Sequence, residues 1–116
     1  IPQDNSGNGG GFVFDCRALS NPGRYEEFKD LNGKDNSVIG FLENKSDVLE
    51  FLANTTKLVD QAVDVYIHRG FASLNVSYGC TGGQHRSVFM AERLADFLKN
   101  KYAVNVVIHH HELDKN

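Results

Sequence analysis

Residues 74–88 read LNVSYGCTGGQHRSV, and the predicted fold depends on this stretch. Leu74, Val76 and Tyr78 alternate with polar residues, which is typical of a β-strand. Three glycines follow within five residues, and an apolar helical pattern then runs from about 84 to 101. The stretch therefore predicts a strand, a glycine-rich loop and a helix in direct succession.

The rest of the chain predicts strands and helices around this turn. Short apolar runs at 12–16 and 104–108 indicate a first and a third strand. The segment 17–36 has the composition of a structured loop, and 37–44 indicates a brief amphipathic helix. A longer helix is predicted from Asp47, which forms a capping box with Glu50, to Gly70. This order predicts an α/β fold, a small three-layer domain with a mainly parallel sheet.

The composition fits one small folded domain. The 116 residues are 41% apolar and 23% charged, with a formal charge of −3. This balance excludes a strong general attraction to nucleic acid or to an anionic membrane. The sequence has no bilayer-spanning apolar run and no signal-peptide pattern, so we expect a cytoplasmic protein.

Two further features concern the chain ends and the cysteines. The polar, glycine-rich residues 1–11 predict a flexible linker or cut point, followed by a domain over 12–116. Cys16 and Cys80 have neither CxxC nor zinc-ligand spacing, so they predict no disulfide framework. His109 and His111 are the only two of the three consecutive histidines that could share a strand face, and no metal site is predicted from two ligands.

Polar residues follow all three predicted strands. Asp15 and Arg17 end the first strand, residues 80–86 follow the second, and His110 lies after the third. A parallel sheet places its binding crevice at the carboxyl ends of its strands, so these groups are expected to converge on one ligand. An ion pair between Asp15 and Arg17 that only stitches the strand to the sheet remains an equal alternative.

The loop itself has the chemistry of a phosphate site. Glycines allow backbone N–H groups to turn inward, and the following helix directs its positive end to the same point. Arg86 can add a bidentate contact, and the hydroxyls of Thr81 and Ser87 can reach further oxygens. The alternative is a plain tight turn with an ordinary surface arginine.

The same residues match Cys-x-x-Gly-x-x-Arg-Ser, the loop pattern of cysteine-dependent phosphatases. In such an enzyme Cys80 would attack phosphorus and Arg86 would hold the phosphate. Gly79 stands where those families usually have histidine, and Asp60 and Asp64 fall inside a predicted helix rather than on a loop that could supply a general acid. Binding without catalysis is therefore favoured.

The sequence also resembles a known family. Residues 79–88 and 12–17, together with Asn21-Pro22, resemble the C-terminal domain of the RapZ-like proteins, also called the YvcJ family and associated with P-loop ATPases. The resemblance extends over nearly all of the chain from Gly11 onward. It implies a domain that binds glucosamine-6-phosphate, acts as an adapter that presents RNA to a ribonuclease, and is attached to an N-terminal domain that uses ATP or GTP.

The loop and the resemblance together define the candidate ligand-binding residues. They are Asp15, Arg17, Asn21, Cys80, Thr81, Gly82, Gly83, Gln84, His85, Arg86, Ser87 and His110. Gln84 replaces a lysine common in the family, and the tail 112–116 lacks a strongly basic ending that would grip RNA. The leading hypothesis is a sugar-phosphate sensor without a cofactor of its own, and the alternatives are a phosphatase and an RNA-binding adapter.

Overall fold

The computed structural model describes residues 11–70 and 73–110 of the chain. Their elements are two strands, three α-helices and two 3-10 turns, which confirms the α/β class. In chain order they are β1 (Gly11–Asp15), the turns Pro22–Arg24 and Glu26–Phe28, α1 (Asn36–Glu43), α2 (Ser46–Arg69), β2 (Asn75–Gly79) and α3 (Arg86–Lys101). The linker predicted at the start of the chain lies outside the described residues apart from Gly11, as do His111 and the tail. No helix within the described ranges is both long and apolar enough to cross a membrane.

The two strands form a parallel pair, as predicted. Gly11 pairs with Asn75 at one end of the ladder, and Asp15 pairs with Gly79 at the other. The carboxyl ends of both strands therefore reach the same edge. This brings the loop that follows β1 next to the glycine-rich loop that follows β2.

Two apolar clusters hold the helices against the strands. The first surrounds Cys16 with buried residues of all three helices, and the second lies between α2 and α3, where Phe14 and Tyr78 pack on it. The rings of Phe14 and Tyr78 are 5.2 Å apart between centroids. The strands thus direct one face into the helices, while Val13 on the other face is 54% exposed.

The prediction of a third strand at 104–108 is wrong for this structure. Exposure still alternates along the segment, where Val106 is half-buried and Val107 is 84% exposed, but the described residues form no further ladder. This segment and β2 line the same cavity of about 620 Å³, and the described residues form no ladder between them. The segment is held at its ends instead, by Tyr102 on Asp60 and by His110 on Glu92.

The predicted capping box of the long helix is also wrong. The helix begins at Ser46, with no side-chain hydrogen bond at its N-cap. Asp47 accepts hydrogen bonds from the amide and the hydroxyl of Ser20, at 2.9 and 3.0 Å. The carboxylate therefore fastens the loop after β1 to α2. The predicted end of the helix is confirmed by Gly70, whose left-handed φ of 72° caps it.

Candidate functional site

The glycine-rich loop adopts the backbone conformation that its sequence requires. Gly82 and Gly83 have φ values of 80° and 64°, in the left-handed region that favours glycine. A Cβ atom at Gly82 would meet nothing within 4 Å, so this side of the loop is open. The 16-residue helix α3 begins directly after the loop, at Arg86. The loop is therefore placed at the positive end of a long helix dipole.

Cys80 contacts the first turn of α3. Its Sγ accepts a hydrogen bond from the amide of Ser87 at 3.4 Å and lies 3.3 Å from the Ser87 hydroxyl. These contacts close the loop on itself, because they join its first residue to the start of the helix.

Arg86 makes backbone contacts that the sequence did not predict. Its side chain is buried, and Nη1 donates to the carbonyls of Cys16, Arg17 and Leu19 at 3.1, 3.0 and 3.0 Å. The predicted bidentate phosphate contact is therefore not available from Nη1. Within the described part of the chain, the buried Nε has no hydrogen-bond partner. Arg86 therefore holds the loop after β1 in place through the contacts of Nη1 with three backbone carbonyls.

Gln84 and His85 also bind backbone rather than face an open site. Gln84 Nε2 donates to the carbonyls of Lys29 and Leu31 at 2.9 and 2.8 Å. His85 is buried, and its Nε2 lies 2.8 Å from the Phe28 carbonyl, which can only accept. His85 therefore carries a proton on Nε2. Both side chains fasten the glycine-rich loop to residues 28–31.

Asp15 and Arg17 form the ion pair that the sequence left as an alternative. Arg17 Nη2 lies 2.7 Å from Asp15 Oδ2, and Nε is 3.0 Å from each carboxylate oxygen. These side-chain hydrogen bonds lower the pKa of Asp15 from 3.8 to about 2. Both side chains are exposed, so the pair orients the loop more than it stabilises the fold.

We expect the replacement Arg17→Gln to raise the pKa of Asp15 towards its ordinary value. The folded pKa is depressed, so the pair favours the native state above the unfolded pKa of about 4 and stops doing so as the pH falls towards 2. The measurement is the Asp15 carboxyl shift in an NMR pH titration. An unchanged Asp15 titration in Arg17→Gln would contradict the assigned cause.

A cavity of about 460 Å³ lies where the two loops meet. Its lining combines the loop after β1, the ends of α1 and α2 that face each other, and two residues from the predicted site of the second loop. The lining residues are Arg17, Ala18, Leu19, Ser20, Asn21, Arg24, Tyr25, Phe41, Lys45, Asp47, Thr81 and Arg86. Four of them are cations and one is a carboxylate. We call this space the cationic cavity.

The structure brings only some of the predicted site residues to the cationic cavity. Arg17, Asn21, Thr81 and Arg86 line it. The remaining loop candidates do not line it, namely Cys80, Gly82, Gly83, Gln84, His85 and Ser87. Nor does Asp15, which is held by Arg17, or His110, which is buried 2.8 Å from Glu92 Oε2 on α3.

Sequence reasoning missed Arg24, Lys45 and Asp47. A signal for Arg24 is present in Asn21-Pro22-Gly23, because proline starts a 3-10 turn there and Asn21 caps it by accepting from the Gly23 amide at 2.9 Å. This rigid turn fixes where Arg24 leaves the backbone. Lys45 and Asp47 gave no such signal, because their position depends on how α2 packs beneath the loop.

Comparison with known proteins agrees with this architecture. The family model described as the RapZ C-terminal domain matches residues 1–114. A nucleotide-binding protein of Methylococcus capsulatus is 40% identical over 97% of the chain and 36% of its own length. An RNase adapter protein RapZ of Hamiltonella defensa is 36% identical over 90% of the chain and 36% of its own length. The chain spans about one third of these relatives, and it belongs to the RapZ C-terminal domain family.

Proposed function

We propose that this chain is a sensor domain that binds a phosphorylated small molecule, an amino-sugar phosphate such as glucosamine-6-phosphate, in the cationic cavity. The observation that carries the proposal is the lining of that cavity by four cations, of which Arg17 is paired with Asp15 and Arg86 donates through Nη1 to backbone carbonyls, so that Arg24 and Lys45 supply the positive charge for a ligand. A phosphate dianion compensates such an excess of positive charge. The volume of about 460 Å³ also falls within the range of small-molecule sites.

The single carboxylate supports an amino sugar over a plain sugar. Both oxygens of Asp47 accept hydrogen bonds from Ser20, so the carboxylate is fixed in the wall of the cavity. The amide of Val48 also donates to Oδ1, at 2.9 Å, so three donor groups occupy the roughly four lone-pair sites of this carboxylate, and one site is left for an ammonium group. A ligand with phosphate at one end and ammonium at the other matches this arrangement of charges.

The test is an amide-shift titration of the isotope-labelled chain with glucosamine-6-phosphate, glucose-6-phosphate, glucosamine and inorganic phosphate. We expect shifts at Arg24, Lys45 and Thr81 with the phosphorylated ligands, strongest with glucosamine-6-phosphate. Loss of one charge-assisted contact in Arg24→Gln or Lys45→Gln should weaken binding about tenfold. Asp47→Asn should remove the preference for the amino sugar.

The control is Lys57→Gln, which removes an exposed lysine of α2 that does not line the cavity. It matches the charge change and should leave the affinity unchanged within about twofold, since distant surface charges are screened. If Lys57→Gln and Arg24→Gln weakened ligand binding equally, the binding would depend on the net charge of the chain and not on contacts in the cationic cavity. Shifts confined to residues outside it would contradict the proposed site.

One observation favours a second candidate, a cysteine-dependent phosphatase. The amide and hydroxyl of Ser87 lie 3.4 and 3.3 Å from Cys80 Sγ, where they would stabilise a thiolate. The engagement of Arg86 Nη1 with backbone carbonyls opposes it. Turnover of p-nitrophenyl phosphate that disappears in Cys80→Ser would favour the enzyme, and absence of turnover would favour binding alone.

The longer relatives extend the proposal to the whole protein. Because the chain spans 36% of the Methylococcus relative, we infer that an N-terminal domain is fused to it. We further infer that this domain uses ATP or GTP, since the relative is named a nucleotide-binding protein, and that the whole protein is cytoplasmic. The name of the Hamiltonella relative, an RNase adapter, makes RNA a further partner to test. RNA affinity that falls steeply with salt would support this partner, and salt-independent or undetectable binding would exclude it.

A further inference from the structure

The two cysteines lie opposite each other at the ends of the paired strands. The ladder ends with Asp15 opposite Gly79, and the amide of Cys16 then donates to the Gly79 carbonyl at 2.7 Å. Cys16 and Cys80 are therefore the next pair in the same register. Paired strands are separated by about 4.8 Å, which falls within the Cα separations of roughly 4.4–6.8 Å that disulfides span.

Both cysteine side chains are directed to the same side of the sheet. Phe14 and Tyr78 precede them by two residues each, and their rings contact each other on the helical face. Residues two apart on a strand share a face, and the same alternation continued one residue beyond each strand places Cys16 and Cys80 on this face. Accordingly, Cys80 packs against the buried cluster that contains Cys16, and both thiols are free.

We propose that Cys16 and Cys80 are a redox modification site, at which a peroxide converts the two thiols into a disulfide. The thiolate of Cys80, the more exposed of the two, attacks one peroxide oxygen, and the O–O bond breaks to give a sulfenic acid and hydroxide, which takes up the proton released by the Cys80 thiol to form water. The thiolate of Cys16 then attacks the Cys80 sulfur, the S–O bond breaks, and the hydroxide leaves as water with the Cys16 proton. Two electrons pass from the thiols to the peroxide.

The modification would alter the glycine-rich loop. Cys80 Sγ now accepts from the Ser87 amide at the start of α3. Rotation of the Cys80 Sγ towards Cys16 removes the acceptor of the Ser87 amide. The disulfide then ties the end of β1 to the first residue of the glycine-rich loop. The disulfide itself is independent of the proposed function, whereas its effect on ligand binding in the neighbouring cavity rests on that function.

Burial of Cys16 sets the rate of the second step. Desolvation raises the pKa of the Cys16 thiol to about 12, so few molecules hold its thiolate at neutral pH. Resolution of the sulfenic acid is therefore expected to be slow at pH 7. It should accelerate about tenfold for each unit of pH below that pKa, since the thiolate is the attacking species.

The test treats the native chain with hydrogen peroxide, blocks the remaining thiols, and maps the digested protein by mass spectrometry without reduction. We expect a peptide pair joined through Cys16 and Cys80 in monomeric protein, reversed by dithiothreitol and formed faster at higher pH. Cys80 oxidised to sulfinic acid without a link to Cys16, or links only between chains, would overturn the proposal. The mapping uses the wild-type protein, so it does not depend on the folding of a cysteine variant.

A second measurement separates this proposal from the proposed function. The oxidised and reduced chains are titrated with inorganic phosphate, and an altered affinity in the oxidised chain supports coupling of the modification to the site. Equal affinity in both forms overturns the coupling. If the disulfide maps as expected but neither form binds any phosphorylated ligand, the proposed function fails and the modification site stands.

Discussion

The replacement Arg86→Leu should lower the free energy of unfolding by about 1–3 kcal/mol, the range for leaving a buried hydrogen-bonding group without its partner. The physical reason is that Nη1 of Arg86 satisfies three carbonyls of the loop after β1. Leucine cannot donate to them, so the loop loses its attachment to α3. Denaturant unfolding followed by circular dichroism measures the effect.

Arg24→Leu is the matched control, because Arg24 lines the same cavity but is exposed. Its replacement should change stability by less than about 0.5 kcal/mol, as is usual on a surface, while it weakens ligand binding. Coincident denaturation curves for wild type and Arg86→Leu would show that the three contacts contribute nothing to stability. The comparison therefore separates support of the loop from binding of the ligand.

The replacement Gly33→Ala should destabilise the fold by about 1–3 kcal/mol through overpacking. A Cβ atom at Gly33 would lie 2.4 Å from the His85 carbonyl oxygen and 2.5 Å from the Phe89 amide nitrogen. These two groups form the first hydrogen bond of α3, at 3.0 Å, so the methyl group would be inserted against it. Thermal unfolding measures the loss.

Gly40→Ala gives the opposite expectation in the same chain. Gly40 lies inside α1, and a Cβ atom there would meet nothing within 4 Å. Alanine should stabilise the helix by about 0.5–1 kcal/mol because it restricts the unfolded chain and favours helix. If both substitutions shifted the melting temperature in the same direction, the steric explanation for Gly33 would be wrong.

The order of the elements could be predicted largely from sequence because periodicity is a local property. The two strands, the long helix ending at Gly70 and the glycine-rich turn all follow from patterns within about twenty residues. The prediction of a strand at 104–108 was wrong because alternation indicates an extended segment but does not show whether the edge of a neighbouring strand is close enough to pair with it. In the structure, the segment lines a cavity together with β2 and forms no ladder with it.

The site was harder to predict than the fold, for a related reason. The spacing of Arg86 from Cys80 indicated a phosphate contact, but its side chain reaches carbonyls about 70 positions earlier in the chain. Likewise, Asp47 was assigned to a capping box of its own helix, where it accepts from the amide of Val48, and it also binds Ser20, 27 residues away. In both cases a polar side chain has partners far along the chain, and only the packing of the fold shows them.

The two-stranded sheet has a consequence for how this domain exists in solution. Within residues 11–70 and 73–110, β1 and β2 pair with each other and with no other strand. Parallel strands are normally found inside wider sheets, and an uncovered rim of amide and carbonyl groups is a template for polymerisation. A polypeptide that docked along those rims would cover these groups and protect the domain from aggregation. The solubility of the domain would then depend on its neighbour as well as on its own sequence.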